Sequence, residues 1–145
     1  MVGFNVVRDI GDMPSRKLPV SSLTAAVGDL LELTAGSTTW AKVTSSSSFF
    51  TRKAIVMEPA TSASNILCME LSGNELVRAA AANASDVANN GDRMAFTDEN
   101  AVNNSDTDVT GQAIGFVQTG VVGASADNQI VGYVLVGNGV DPDAS

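Results

Sequence analysis

Two short stretches near the end of the chain, GQAIGFV at positions 111–117 and NQIVGYV at 128–134, decide how the rest is read. Each runs Gln, two small or apolar residues, Gly, an aromatic and Val. Two copies are too few for a solenoid, which needs at least about three repeats to bury a continuous core. A Gly-rich connection, TGVVGASAD at 119–127, lies between them, so the pattern predicts two antiparallel strands of a hairpin.

Alternation along those strands puts Ile114 and Phe116 on one face and Ala113, Gly115 and Val117 on the other. In the second strand Val131, Tyr133 and Leu135 alternate with Ile130, Gly132, Val134 and Val136. Both faces are apolar, and a strand apolar on both sides must be covered on both sides, by a second sheet, a barrel wall or another subunit. Gly115 and Gly132 stand mid-strand, where glycine weakens a sheet, and imply a bend or the close approach of another backbone. Ile114, Gly115, Phe116, Gly132 and Tyr133 are therefore expected in the core or at a subunit contact.

Upstream, short strand-like runs recur between turn signals. AVGDLLELTAG, TTWAKVT and FTRKAIVMEP each read as a strand, the last ended by Pro59, with a Ser-rich loop before it. NILCMELSGNELVRA reads as a hairpin turning at Ser72, Gly73 and Asn74, and DRMAFTDENAV as another turn-bounded pair. AAAANASDVANNG has helix-favouring alanines, but its Asn and Ser residues compete for the backbone, so at most one short helix is expected. The fold class is mostly β: a small antiparallel β-barrel or β-sandwich over residues 23–140, with a short tail at 141–145.

Residues 1–22 have a different texture. Pro14 and Pro19 interrupt scattered apolar residues, Phe4, Val6, Val7, Ile10, Leu18 and Val20, with no sustained period. This predicts an extended N-terminal arm, either lying on its own domain or given as a strand to a neighbour.

Composition narrows the function. The 145 residues fit one domain with a true core, since about two-thirds of the unfolded surface can be buried at this length. Net charge is −8, and past Arg78 the only basic residue is Arg93, so nothing is placed to neutralise a track of phosphates or to favour an anionic membrane. The first residues carry no charged, apolar targeting pattern, and no run approaches the roughly 18 residues of a membrane span, which leads us to expect synthesis and folding in a cytoplasm. Cys68 is the only cysteine and reads as a small buried side chain.

Routes to catalysis are thin. Without His there is no conventional Ser or Cys triad and no common zinc nitrogen ligand. Carboxylate pairs such as Glu70 and Glu75, or Asp98 and Glu99, fit solvated turns better than acid–base work. DTDVTG at 106–111 has the opening spacing of a calcium loop, but position twelve, where a bidentate Glu belongs, is Val117. The expectation is a non-enzyme without cofactor or metal.

The apolar N-terminal segment, the VGDLLEL strand, a Ser/Ala/Asn-rich domain without catalytic residues, and GQAIGFVQTG followed by DNQIVGYVLVG resemble the capsid decoration, or cement, proteins of tailed bacteriophages. The resemblance implies a β domain on the outer capsid surface of the virion that holds major capsid protein subunits together, as a homo-oligomer with a trimer favoured. It also implies that the arm, through Phe4, Val6, Val7, Ile10, Leu18 and Val20, adds to a capsid loop. A carbohydrate-binding or adhesin-like β module is the alternative, for which Trp40, Phe49 and Phe50 are the available aromatics.

Overall fold

The computed structural model describes residues 3–8, 14–106, 109–124 and 127–138. In chain order the strands are β1 (Phe4–Arg8), β2 (Ser15–Ala25), β3 (Leu30–Leu33), β4 (Ala41–Lys42), β5 (Arg52–Val56), β6 (Ala60–Glu70), β7 (Leu76–Ala80), β8 (Arg93–Asp98), β9 (Ala101–Asn103), β10 (Phe116–Val121) and β11 (Gln129–Val134). They form the antiparallel β architecture that the sequence predicts. A six-stranded sheet, β1-β7-β11-β10-β8-β9, curls as a half-barrel, and a five-stranded sheet runs β2-β6-β5-β3-β4. Among the described residues, 3-10 turns lie at Val87–Asn89, within the alanine-rich segment, and at Gly111–Ala113.

Each sheet bends far enough to touch itself. A parallel bridge joins Ala81 to Val102 across the six-stranded sheet, and another joins Val20 to Trp40 across the five-stranded one. The curling encloses two apolar clusters. Phe4, Val77, Met94, Phe96, Phe116, Ile130 and others fill the first, and Leu18, Val20, Trp40, Ile66 and Cys68 belong to the second.

The central strands are shared between both clusters. On β3, Leu30 enters the first cluster and Leu31 the second; on β5, Ile55 enters the first while Ala54 and Val56 enter the second. This is the two-sided burial expected of an apolar strand, and it explains why LLEL and KAIV are nearly continuous apolar runs. The six-stranded sheet is tied to β3 at the β8–β9 turn, where Leu30 N–H donates to the Glu99 carbonyl at 2.7 Å and Lys42 pairs with Glu99 at 3.4 Å.

The late hairpin forms, with Phe116 opposite Val134 and Gln118 opposite Gly132. It begins later than the repeat suggests, because Gln112 and Ala113 lie in a 3-10 turn and Ile114 and Gly115 precede the strand. Its two faces are also unequal. Phe116, Ile130, Gly132 and Val134 are buried, whereas Val117, Val131 and Tyr133 are half-buried. A Cβ on Gly132 would run into the Val117 carbonyl oxygen and the Phe116 ring, and one on Gly115 into the Phe96 ring. Close approach, by a backbone in one case and an aromatic in the other, is the reason for both glycines.

One expectation needs correction. The turn at 72–74 does not close a hairpin: β6 belongs to the five-stranded sheet and β7 to the six-stranded one, so the turn carries the chain between sheets. Glu75, buried beneath it, accepts from the backbone N–H groups of Ser72 and Gly73 and from the Ser72 hydroxyl, which fixes the crossing. A turn signal specifies reversal, not which edge the next strand joins.

Of the two placements expected for the arm, the pairing matches the first: the described part of residues 1–22 is extended and is built into its own domain. β1 pairs with β7, from Phe4 opposite Ala79 to Val6 opposite Val77, and β2 pairs with β6 over most of its length. Phe4, Leu18 and Val20 are core side chains, exposed by 5% or less. The missing period has a local cause. β2 does alternate from Lys17 to Ser21, and its register with β6 then shifts between Pro19 and Leu23, around Ser22, whose φ is +46°. Pro19 is accommodated because β2 is an edge strand; its carbonyl accepts from Trp40 N–H at 2.9 Å.

Candidate interaction surface

β1 is an edge strand, and its outer side faces the turn at 26–29 rather than another strand. Phe4 N–H crosses to the Gly28 carbonyl at 2.8 Å. Beside that bond, between β1 and the strands β5 and β6, runs a groove of about 300 Å³. Phe4, Asn5 and Val6 form one wall, Ile55, Val56, Met57 and Met69 the other, and Val27 with Gly28 the end. Among the described residues no charged side chain lines it. Val27 and Met57 are 56% and 41% exposed, and Val7 on the same strand is 55% exposed. Among the described residues the one other large exposed apolar side chain is Val87. Three of four thus gather on or beside one edge, and grouped apolar exposure of that kind marks interaction sites on soluble proteins.

The expected arm contacts separate accordingly. Val7 projects outward, Val6 is half-buried in the groove wall, and Phe4, Leu18 and Val20 are consumed by the domain's own core. Ile10 lies outside the described residues. Ile114, Gly115, Phe116, Gly132 and Tyr133 surround the hairpin, away from the groove. The groove residues Val27, Met57 and Met69 carry no sequence signal of a site.

A second assembly, polar and buried, lies near the start of β5. Lys53 is fully buried, and its ammonium donates to the carbonyls of Ser48 (2.8 Å), Thr51 (3.2 Å) and Leu135 (3.3 Å) and to the Thr51 hydroxyl (2.6 Å). Burial lowers the Lys53 pKa to about 8, against the opposing influence of Glu32. Glu32 accepts from the Thr51 hydroxyl at 3.0 Å and from the Ser47 hydroxyl. Surrounded by carbonyls, Lys53 is held as an ammonium tying the 48–51 loop to the end of β11, a structural role and not that of a base activating Thr51. Alternation could have revealed it: with Ile55 facing the six-stranded sheet, Lys53 two residues earlier must face the same way.

Other sequence candidates are placed at turns or in surface pairs. Glu70 is held by Arg52 and Arg16, and the Arg52 hydrogen bond keeps its carboxyl below the usual carboxylate range. Glu75 serves its own turn, and Asp98 accepts from Asn100 N–H at 2.9 Å. The DTDVTG segment falls partly outside the described residues. Trp40 is buried with the Arg52 guanidinium 5.4 Å from its ring centroid, and Phe49 and Phe50 meet edge to face. Cys68 is buried, and desolvation pushes its thiol up to about 12.

Among the described residues no group of three or more His, Cys, Asp or Glu side chains is arranged to hold a metal ion, and no helix is long and apolar enough to cross a membrane. Comparison with protein-family models, with curated proteins and with solved structures finds no match to this chain.

Proposed function

We propose that this protein is a non-enzymatic structural component of a phage virion, binding the outside of an icosahedral head and stabilising contacts between major capsid subunits. The observation that carries the reading is the uncharged groove beside the β1 edge, with Val7, Val27 and Met57 exposed around it. Its shape suits an extended apolar segment of a shell subunit lying alongside β1, with main-chain bonds giving affinity and the two methionines adapting to the side chains.

The resemblance in sequence style supports the capsid setting, and the physics of the role agrees with it. Cementing needs distributed apolar contact and no reaction. About 800 Å² per partner makes a standard interface, and several such contacts around a threefold position multiply through avidity. The direction of donation differs from the expectation of a free arm: the shell supplies the strand and this domain supplies the edge.

The test is quantitative mass spectrometry of density-purified particles, followed by re-attachment of purified protein to stripped heads. The reading expects a fixed, symmetry-related ratio to the shell protein. It also expects the double variant Val27→Asp/Met57→Asp to keep its melting temperature and lose attachment. A few copies per particle, or unchanged attachment of the folded variant, would overturn it.

A further inference from the structure

Sulfur is spread unevenly over the described residues. Met94 is wholly buried in the first cluster and Cys68 in the second. Met57 and Met69, by contrast, line one wall of the β1-edge groove, Met57 directly after β5 and Met69 near the end of β6. Met69 stands opposite Ile55 in the ladder and is half-buried, whereas Met57 is 41% exposed. The Met57 main chain is tied down, its N–H donating to the Leu67 carbonyl at 2.9 Å, which holds the side chain at the groove wall.

A thioether in that position is open to a reaction from which the buried sulfurs are shielded. Peroxides oxidise thioethers directly, but thiols by way of the thiolate. Cys68 is shut away, and with its thiol pushed up to about 12 it holds almost no thiolate at neutral pH, so it does not intercept the oxidant. The Trp40 indole and the Met94 sulfur are enclosed as well, at 4% and 0% exposure. Among the described residues Met57 is therefore the first reductant that a peroxide in solution meets, and Met69 the second.

The product changes the character of the groove. Oxygen transfer forms an S–O bond at Met57 Sδ and breaks the O–O bond; the sulfur loses two electrons and hydrogen peroxide is reduced to water. A flexible apolar side chain becomes a polar, chiral sulfoxide in a groove that has no charged side chain among the described residues. An apolar segment docking there would have to strip water from the new oxygen, which opposes docking. The fold is spared, because Met57 belongs to neither buried cluster.

We propose that Met57 is a peroxide-sensitive site, whose conversion to the sulfoxide turns the groove beside β1 from an apolar surface into a polar one and weakens its hold on an apolar segment. The effect on attachment rests on the groove being the shell-contact surface; the order of oxidation and the change within the groove do not. A thiol-dependent methionine sulfoxide reductase restores the thioether, a pair of thiols being oxidised to a disulfide as the oxygen leaves as water.

The test treats the full chain with dilute hydrogen peroxide in native buffer and follows each methionine by peptide mass spectrometry. Met57 should oxidise at least about tenfold faster than Met94, with Met69 between them, and Met94 should catch up only in denaturant. Methyl NMR of the singly oxidised protein should move the signals of Val6, Val27 and Ile55 and leave those of Leu31 and Ile66 in place, at an unchanged melting temperature. Attachment to stripped heads should fall at least about fivefold on oxidation, recover after reductase treatment, and resist the same dose of peroxide in Met57→Leu. Oxidation of Met94 as fast as Met57, groove methyl signals that do not move, or oxidised protein that attaches as well as the untreated parent would overturn the proposal. If the untreated parent itself fails to attach, the capsid reading falls, and the oxidation order and methyl shifts still decide whether Met57 is the sensitive site.

Discussion

The rings of Phe4 and Phe96 meet edge to face, centroids 5.7 Å apart and planes at 79°. Phe4 belongs to β1 and Phe96 to β8, strands separated by three others in the sheet order, so their contact closes the inside of the half-barrel. An aromatic pair of this kind adds about 0.5–1.5 kcal/mol to the area it buries. The beginning of the chain is thereby part of the core.

Phe4→Ala should therefore destabilise the protein by about 3 kcal/mol or more, in the range of buried aromatic truncations. Chemical denaturation monitored by circular dichroism measures this. Deletion of residues 1–20, which removes Phe4, Leu18 and Val20 together, should abolish cooperative folding; a truncated protein that unfolds with the parent's midpoint would contradict the assignment of β1 and β2 to the core.

The two hairpin glycines should differ in tolerance. At Gly132 an added Cβ meets a main-chain oxygen, which cannot move without disturbing the β10–β11 ladder; at Gly115 it meets the Phe96 ring, a side chain. Overpacking of this kind typically costs about 1–3 kcal/mol, and Gly132→Ala should lie at or beyond the upper end while Gly115→Ala costs less. Comparison of their denaturation midpoints decides the order.

Lys53 gives a signed pH dependence. Its folded pKa, about 8, lies below the ordinary value of 10.5, so burial of the ammonium costs stability in full below pH 8. Between about 8 and 10.5 the unfolded chain holds the proton that the folded chain releases, and stability rises with pH, by about 3 kcal/mol across the window. Urea unfolding of the parent relative to Lys53→Met, at several pH values through that window, should show the parent gaining. A flat difference would mean that Lys53 is not buried as an ammonium.

Cys68 should be inert while the protein is folded. Its thiol is buried and its pKa raised to about 12, so thiolate is scarce at neutral pH. Titration with a chromogenic disulfide should give no reaction in native buffer and one equivalent in denaturant; rapid native labelling would place Cys68 at the surface.

Much of the core was legible in the one-dimensional pattern. Strand-like runs between turn signals marked β3, β5, β8 and β9, and alternation marked the late hairpin, because side chains of a strand point to opposite faces whatever the strand pairs with. Glycine placement inside the hairpin carried the close approach at residues 115 and 132. The candidate groove was hardly legible: Val27, Met57 and Met69 come from separate elements, and nothing local distinguishes an apolar residue left exposed from one that is buried.

By itself, then, the sequence determined an antiparallel β protein with short strands, punctuated turns, a buried cysteine and a tight Gly-containing hairpin, all consequences of short-range geometry. Only the tertiary structure decided that the N-terminal segment completes both sheets, that the 72–74 turn crosses between them, and that Lys53 lies buried while Val27 and Met57 are exposed. Those outcomes depend on which edges meet. Edge pairing joins residues far apart in the chain, such as Phe4 with Ala79 and Leu18 with Ile66, and no local period records it.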